Sequence, residues 1–204
     1  MPSLSQIKEY FLKVIKFLLF VLLIPVVIAV TAVFYKHIAA LDLLFRLPFA
    51  AGLVMYLILH LFICELEGLQ TFGQTLLTNL FRFLGPFTEV VPLLLPVYSI
   101  LFLLGLLLER HFVKSLTIEA TLIFLSGMSL AMHAVLTAKA LRAKDTGTLK
   151  PDYFFTFSLS FIATIGVVAL LLWGVVPGFS FPHFVKGTFR AAQQIYLVVY
   201  RQLF

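Results

Sequence analysis

Two rows of polar side chains interrupt otherwise apolar stretches, and these are the residues that membrane chemistry would use. The first row, with gaps of four, four and three residues, falls on one face of a helix and comprises Tyr56, His60, Cys64 and Glu67. The second row also follows one helix face and comprises Glu119, Ser126, Ser129, His133 and Thr137. Zinc accepts imidazole, thiolate and carboxylate ligands, so the candidates for a metal or proton site are His60, Cys64, Glu67 and His133.

A structural interpretation of the same side chains competes with the metal site. A single histidine on a membrane helix typically forms an interhelical hydrogen bond, and such bonds contribute about 0.6 kcal/mol on average. The sequence has no GxSxG nucleophile elbow, no glycine-rich phosphate loop and no acidic pair within one apolar stretch. We therefore predict no catalytic residue and no resident cofactor, with zinc as the alternative. A further row, Thr156, Ser160 and Thr164, is predicted to be a packing face.

The elements that must hold these rows are membrane helices. Of the 204 residues, 62% are apolar and 23 are Phe, and the mean hydropathy is +1.09, which a water-soluble surface does not tolerate. Charged residues make up 12% of the chain and lie between the apolar stretches, as they do when only loops meet water. The composition therefore predicts an all-α, polytopic membrane protein. The single cysteine excludes an internal disulfide and a multi-cysteine metal cluster.

Five apolar stretches are long enough to cross a bilayer, over about residues 17–35, 48–64, 87–108, 116–138 and 153–176. An amphipathic helix over residues 1–16 runs into the first of them. Its lysines also resemble the start of a signal peptide, but the apolar stretch that follows is too long for one. Polar residues and helix breakers predict a surface or re-entrant helix over residues 71–83. Pro25 predicts a kink in the first span, and Pro92 with Pro96 predicts an irregular turn whose free carbonyl groups need partners.

The tail over residues 181–204 is predicted to form an amphipathic helix. Apolar residues recur at alternating gaps of four and three, and this heptad seam comprises Val185, Phe189, Ala192, Tyr196, Val199 and Leu203. The basic and amide side chains lie off the seam. The seam is too short for a self-sufficient coiled coil, so we expect it to bind a partner or the rest of the chain. The alternative is a helix that lies bare in the membrane interface.

The net charge of +6 reflects basic residues at the ends of the spans rather than a nucleic-acid surface. With the N-terminus inside the cell, the inner segments carry eight Lys and Arg residues and the two outer loops carry four. This bias predicts a cytoplasmic N-terminus and, after five spans, a tail helix on the far, periplasmic side. The expected partners are the lipid bilayer and other membrane protein subunits, and no nucleic acid.

Residues 57–62 read LILHLF, and Phe72-Gly73 leads into Gln74-Thr75-Leu76-Leu77-Thr78. This arrangement resembles small bacterial integral-membrane zinc metallopeptidases of the site-2-protease-like class, in which such a span is followed by a phenylalanine-glycine pair that leads into HExxH. The resemblance covers most of the chain from residue 52 onward. Three later segments are also similar to that group: PLLLPVYSILFLL, LAMHAVLTAKALR and IYLVVYRQLF. Gln74 and Thr78 replace the two zinc histidines and Thr75 replaces the glutamate. The resemblance therefore implies a chain that lacks the catalytic site of that group.

These observations together predict a non-catalytic structural or accessory subunit of a protein complex in a bacterial inner (cytoplasmic) membrane. The first alternative is an intramembrane metal-dependent enzyme, derived from a metallopeptidase-like fold, that uses His60 and His133. The second alternative is a component of a channel that handles small solutes or lipids, in which the polar row containing Ser126 meets water.

Overall fold

The computed structural model describes residues 4–62, 67–83, 85, 91–144 and 151–203. In these ranges the chain forms eight helices and no strand, which confirms the prediction of an all-α polytopic membrane protein. In chain order the helices are α1 (Leu4–Ala39), α2 (Leu43–Phe62), α3 (Glu67–Leu80), α4 (Val91–Leu94), α5 (Val97–Phe112), α6 (Leu116–Lys144), α7 (Pro151–Val175) and α8 (Phe181–Leu203).

Four of the described helices, α1, α2, α6 and α7, are long and apolar enough to cross a membrane. α1 is a single helix of 36 residues that continues through Pro25, so the amphipathic start and the first span form one element. α2, α6 and α7 cover the predicted spans at 48–64, 116–138 and 153–176, each with slightly different ends. α3 begins four residues before the surface or re-entrant helix that the sequence predicts over 71–83.

The third predicted span, residues 87–108, is not one continuous helix where the structure describes it. It is broken at Leu95 and Pro96, between α4 and α5. Pro96 has no amide proton and disfavours helical dihedral angles at the residue before it, so the helix stops at this point. α5 has 16 residues. Its length is therefore about 24 Å, less than the ~30 Å thickness of a bilayer core, and it crosses only part of a membrane as a regular helix.

α2 and α6 run parallel and meet backbone to backbone. A Cβ atom built on Gly52 would overlap the carbonyl oxygen of Phe124, and one built on Gly127 would overlap the carbonyl oxygen of Phe49. Small residues at such crossings let membrane helices approach closely. Further along both helices, the Tyr56 side chain is fully buried against side chains of α6. The face of α6 opposite α2 is thereby turned towards α5.

α1 and α7 also run parallel. Near their beginnings, Lys16 Nζ lies 2.5 Å from a carboxylate oxygen of Asp152, and the rings of Phe20 and Phe154 stack with centroids 5.0 Å apart. The main hydrophobic core joins α1, α2, α5, α6 and α7, and its buried members include Phe34, Phe49, Leu106, Ile123 and Leu172. This packing places the polar rows of α6 and α7 around the break between α4 and α5.

α8 folds back along α1 in the opposite direction. Residues 176–180 form the turn after α7, with Gly178 at φ +89°, a backbone conformation that residues with a Cβ atom rarely adopt. The rings of Phe184 and Phe34 meet edge to face with centroids 6.3 Å apart, and the Tyr196 hydroxyl donates a hydrogen bond to the carbonyl oxygen of Leu22. α8 therefore lies beside the apolar span of α1. The charge bias predicted that the tail lies on the far, periplasmic side, and this orientation stays a prediction.

Candidate functional site

The break between α4 and α5 leaves carbonyl groups without helical partners inside the bundle. In a continuous helix the amide of Val97 would donate to the carbonyl oxygen of Leu93. Instead it donates to Leu95, with an N···O distance of 3.0 Å. A carbonyl group in hydrocarbon has no water to bond, so the carbonyl groups freed by the break need donors from neighbouring helices.

Polar side chains of α7 supply these donors. The Ser160 hydroxyl donates to the carbonyl oxygen of Leu93, and the Thr164 hydroxyl donates to that of Leu94 at 3.2 Å. His133 of α6 lies beside the break and lines a small cavity with Leu95 and Pro96, but its Nε2 atom has no hydrogen-bond partner in the described residues. The Ser and Thr row of α7 is therefore more than a packing face, because two of its members cap the broken helix. We refer to His133, Ser160 and Thr164 with these two carbonyl groups as the break cluster.

Three buried serines extend the polar contact between α5 and α6. The hydroxyl oxygens of Ser99 and Ser129 lie 2.8 Å apart, and Ser129 in turn donates to the carbonyl oxygen of Ser126 at 2.9 Å. The Ser126 hydroxyl donates to its own helix, to the carbonyl oxygen of Ile123 at 2.8 Å. All three serine side chains are buried. Each hydroxyl is thus committed to a structural hydrogen bond, and none of the three is paired with His133 as a nucleophile would be with its base.

Charged residues fasten α5 to α6 and α7 at the other end of the row. The guanidinium of Arg110 donates through Nε and Nη2 to Oε1 of Glu119, and through Nη1 to the carbonyl oxygen of Val175 at 2.5 Å. The buried carboxylate of Glu109, which is 4% exposed, accepts the amide of Ser115 at 2.5 Å. These bonds close the turn between α5 and α6 and anchor both helices to the end of α7.

The predicted polar row of α6 therefore has one common neighbour. Glu119 and Ser129 form hydrogen bonds with α5, and His133 lies beside the break that precedes α5. The Nε2 atom of His133 and the buried hydroxyl of Thr137 have no hydrogen-bond partner in the described residues. The row therefore faces α5 and the break, and two of its members bond to α5.

The candidates for a metal site are not brought together where the structure describes them. The ring of His60 stacks on that of Tyr56 with centroids 5.9 Å apart, whereas His133 lies beside Leu95 and Pro96 in the break cluster. Cys64 lies outside the described residues, and the side chain of Glu67 is also outside them. Among the described side chains, no three His, Cys, Asp or Glu residues are grouped so that they could hold a metal ion.

The positions that the metallopeptidase resemblance assigns to zinc lie on α3. The hydroxyl of Thr75 donates to the carbonyl oxygen of Thr71 at 2.7 Å, and both Thr75 and Thr78 are exposed. The side chain of Gln74 lies outside the described residues. α3 meets the bundle through Gly73, which lies against the ring of Tyr98, and through the buried Leu77.

The heptad seam of α8 faces a groove that is formed by its own chain. Val185, Phe189, Ala192 and Tyr196 line a groove of about 720 Å³ between α1, α7 and α8, together with Val26, Val30 and Ile162. Ala192 is buried, while Phe189 is 70% exposed and Val199 is also exposed. The side chain of Leu203 lies outside the described residues. We call this cavity the α8 groove.

The neighbouring face of α8 carries a polar stripe, most of whose members the sequence analysis places off the heptad seam. Its members recur at helical spacing and are all exposed: His183, Lys186, Arg190, Gln194 and Arg201. The signal was present as polar residues off the heptad seam, but the sequence does not reveal that they lie beside the most apolar span of the chain. We call this set the basic stripe.

Comparison with known proteins adds no relative. No protein-family model, no curated protein and no solved structure matches the chain. The kinship with site-2-protease-like metallopeptidases therefore stays a prediction that rests on apolar segments. Function has to be inferred from the charges, packing and grooves of this chain.

Proposed function

We propose that this protein is a non-catalytic structural or accessory subunit of a membrane protein complex, and that α8 is its contact face. The observation that carries the proposal is the position of the basic stripe. Two of its members, Lys186 and Arg190, are exposed and have neither a hydrogen bond nor an ion pair in the described part of the chain. They nevertheless lie beside a segment of α1 that contains no charged residue.

The depth of the stripe follows from three contacts between α8 and α1. Phe184 packs against Phe34, Gly187 lies against Val33, and Tyr196 bonds to the backbone of Leu22. Residues 184–196 of α8 are thus level with residues 22–34 of α1, all of which are uncharged. Arg190 falls between these contacts, so lipid would surround it if nothing covered α8.

The energetics disfavour a bare stripe. A charged side chain at the centre of a membrane helix costs about 2.5–3.5 kcal/mol on insertion scales. Lys186 lies nearer to the end of α1 and reduces this cost by extending towards the headgroups, whereas Arg190 has further to reach. A neighbouring protein that supplies acceptors removes the cost, and hydrocarbon does not. The stripe therefore favours a protein neighbour over lipid.

The exposed aromatic side chains of the groove support the same conclusion. Phe189 directly precedes Arg190, Tyr196 follows Arg190 by six residues, and both aromatic side chains open onto the α8 groove. Interfaces combine an apolar centre with polar groups around it, and aromatic residues and Arg are enriched in them. The α8 groove and the basic stripe together have this composition.

We propose that the complex lies in a bacterial inner membrane, with the N-terminus of this chain in the cytoplasm. In this orientation α8 begins at the periplasmic end of α7, where the five predicted spans place the tail. Because α8 runs back along α1, its last turns approach the cytoplasmic side. Arg201 then joins the inner basic residues, which strengthens the positive-inside bias.

The test is extraction of the natively expressed full chain in a mild detergent, followed by identification of co-migrating proteins and metal analysis of the same sample. We expect a stoichiometric membrane protein partner and no stoichiometric metal. Phe189→Ala is expected to lower the recovery of that partner, and Phe112→Ala is the matched control because Phe112 is equally exposed but lies outside the groove. A chain that migrates alone with about one zinc ion would overturn the proposal in favour of the metal enzyme.

A further inference from the structure

On the basis of the proposed function, we can specify which chemical group of a partner would bind the basic stripe. Residues 181–203 contain no Asp or Glu, so α8 does not neutralise its own Lys186 and Arg190. Guanidinium groups at low dielectric are stabilised by carboxylates, which accept two N–H bonds from them at once. A carboxylate within the membrane span of a neighbour is therefore the acceptor that stabilises Arg190 best.

A second copy of this chain does not supply that carboxylate from the part the structure describes. The acidic side chains described are Asp42, Glu109, Glu119 and Asp152, and each lies at or beside a helix end. Glu119 is already held by Arg110, and Asp152 by Lys16. None of the four is at the level of residues 22–34 of α1, where Arg190 lies.

The α8 groove is a site at which a helix that carries such a residue can bind. Gln193 lines the groove and is three residues from Arg190, so the groove and the basic stripe are adjacent faces of α8. A single helix placed over Gln193 contacts Phe189 and Tyr196 on one side and reaches Arg190 on the other. Its apolar side chains would enter the groove of about 720 Å³ between α1, α7 and α8.

We infer that the partner is a different membrane protein, one of whose spanning helices lies over the α8 groove and places an Asp or Glu within its apolar segment against Arg190. The ion pair forms at a depth where neither charge is stable alone. Pairing of this kind makes the association specific, because a helix without the carboxylate leaves Arg190 buried without a counter-charge.

The inference is tested by site-specific photo-cross-linking in native membranes. A benzoylphenylalanine residue replaces Gln193 in the full chain, and the cross-linked product is digested and sequenced. We expect a cross-link to a different protein, in a membrane span and within one helical turn of an Asp or Glu. A cross-link to a second copy of this chain, to lipid alone, or to a span without an acidic residue would overturn the inference.

Charge variants of Arg190 give an independent test. Arg190→Glu is expected to lower recovery of the partner by at least about 30-fold, as expected when one member of a buried charge pair is lost. Arg190→Lys retains most of the recovery, and changing the partner's acidic residue to Lys restores binding to Arg190→Glu. Lys114→Glu makes the same charge change on an exposed turn and is expected to leave recovery unchanged. If Arg190→Glu does not accumulate, Arg190→Gln removes the positive charge without adding a negative one.

The proposed function and this inference fail in different ways. A wild-type chain that migrates without any partner overturns both. A chain whose partner still binds Arg190→Glu and Arg190→Gln at the wild-type level overturns only the carboxylate pairing.

Discussion

Gly52 of α2 lies directly against the backbone of α6, so close that a Cβ atom at this position would overlap the carbonyl oxygen of Phe124 and stand 2.8 Å from the amide nitrogen of Met128. Gly127 makes the reciprocal contact with Phe49. Backbone atoms have little freedom to yield, so the two helices share a crossing point that accepts no side chain. This contact orients the polar row of α6 towards α5.

Substitution at the crossing should therefore separate the two helices. Gly52→Ala is expected to destabilise the protein by about 1–3 kcal/mol or more, because the added methyl group meets backbone rather than a flexible side chain. Gly174→Ala in α7 is the matched control, since a Cβ atom there meets nothing within 4 Å. It is expected to be neutral or slightly stabilising, because Ala is the better helix former. Thermal unfolding in detergent compares the two, and equal stability of both variants would contradict the close contact.

Because Ser160 of α7 caps the helix break at Pro96, we predict that substitutions at these two positions have coupled effects on stability. Ser160→Ala leaves the carbonyl oxygen of Leu93 with one donor fewer, and we expect a loss of about 0.6–2 kcal/mol. Pro96→Ala restores an amide proton and lets α4 continue into α5, so that Val97 regains Leu93 as its acceptor. Ser160→Ala should therefore cost less in the Pro96→Ala background. A double-mutant cycle measures this difference, and strict additivity would show that the two sites are independent.

Substitutions of Thr164 and Thr121 compare the loss of an interhelical hydrogen bond with the loss of a hydrogen bond within one helix. Thr164→Val removes the donor to the carbonyl oxygen of Leu94 on another segment, whereas Thr121→Val removes a bond to Thr117 within the same helix. Both changes keep the shape of the side chain. We expect faster hydrogen exchange at the start of α5 for Thr164→Val only. An equal effect of both variants would indicate that the hydroxyl of Thr164 does not cap the break.

The paired hydrogen bonds from Arg110 to Glu119 predict that a positive charge at position 110 is not sufficient to stabilise this end of the bundle. Arg110→Lys keeps the positive charge but cannot bond Glu119 and the carbonyl oxygen of Val175 with one planar group. We expect a loss of about 1–3 kcal/mol, as for hydrogen bonds to charged groups. The exchanged pair Arg110→Glu with Glu119→Arg should not recover stability, because a carboxylate at position 110 would face the Val175 carbonyl oxygen. Full recovery would assign the contribution to charge attraction alone.

The contact between α8 and α1 is predicted to depend on the hydroxyl group of Tyr196 and on the small size of Gly187. Tyr196→Phe loses the hydrogen bond to Leu22, and Gly187→Leu pushes against Val33, whose Cγ1 would lie 3.2 Å from a Cβ atom at Gly187. We expect α8 to become accessible to limited proteolysis in Gly187→Leu, with a smaller effect in Tyr196→Phe. Tyr35→Phe changes an exposed tyrosine of α1 and serves as the control. Protection unchanged in Gly187→Leu would contradict the docking of α8.

Much of this architecture could be predicted from the sequence because it follows from local rules. Long apolar stretches become α1, α2, α6 and α7, and the Pro92 and Pro96 pair predicts a break whose carbonyl groups need partners. The structure identifies Ser160 and Thr164 as donors to those groups. Their row was predicted only as a packing face, because a period of four residues marks a helix face without naming the atoms opposite it.

The placement of α8 could not be predicted in the same way. The heptad seam that includes Phe189 and Tyr196 indicates which side of the helix is apolar, but not what covers it. That depends on the direction of the turn at residues 176–180 and on the fit of Gly187 to Val33, two tertiary features without a local signal. The packing of α8 against α1 also determines how deep Arg190 lies in the membrane. Counting basic residues in loops predicts the side of the membrane on which the tail begins, but it carries no information on how α8 packs against the bundle.

The hydrogen bond between Tyr196 and Leu22 joins positions 174 residues apart in the sequence. At a synthesis rate of about 5–20 residues per second, Leu22 leaves the ribosome roughly 10–35 s before Tyr196 does. During that interval the face of α1 that includes Val33 and Phe34 is inserted without the helix that later covers it, and insertion factors or lipid must occupy it. The α8 groove, which is lined by α1, α7 and α8, is therefore complete only after α8 has been synthesised and has packed against α1. Any partner that recognises this groove binds after that step, so the docking of α8 sets the order of folding and binding.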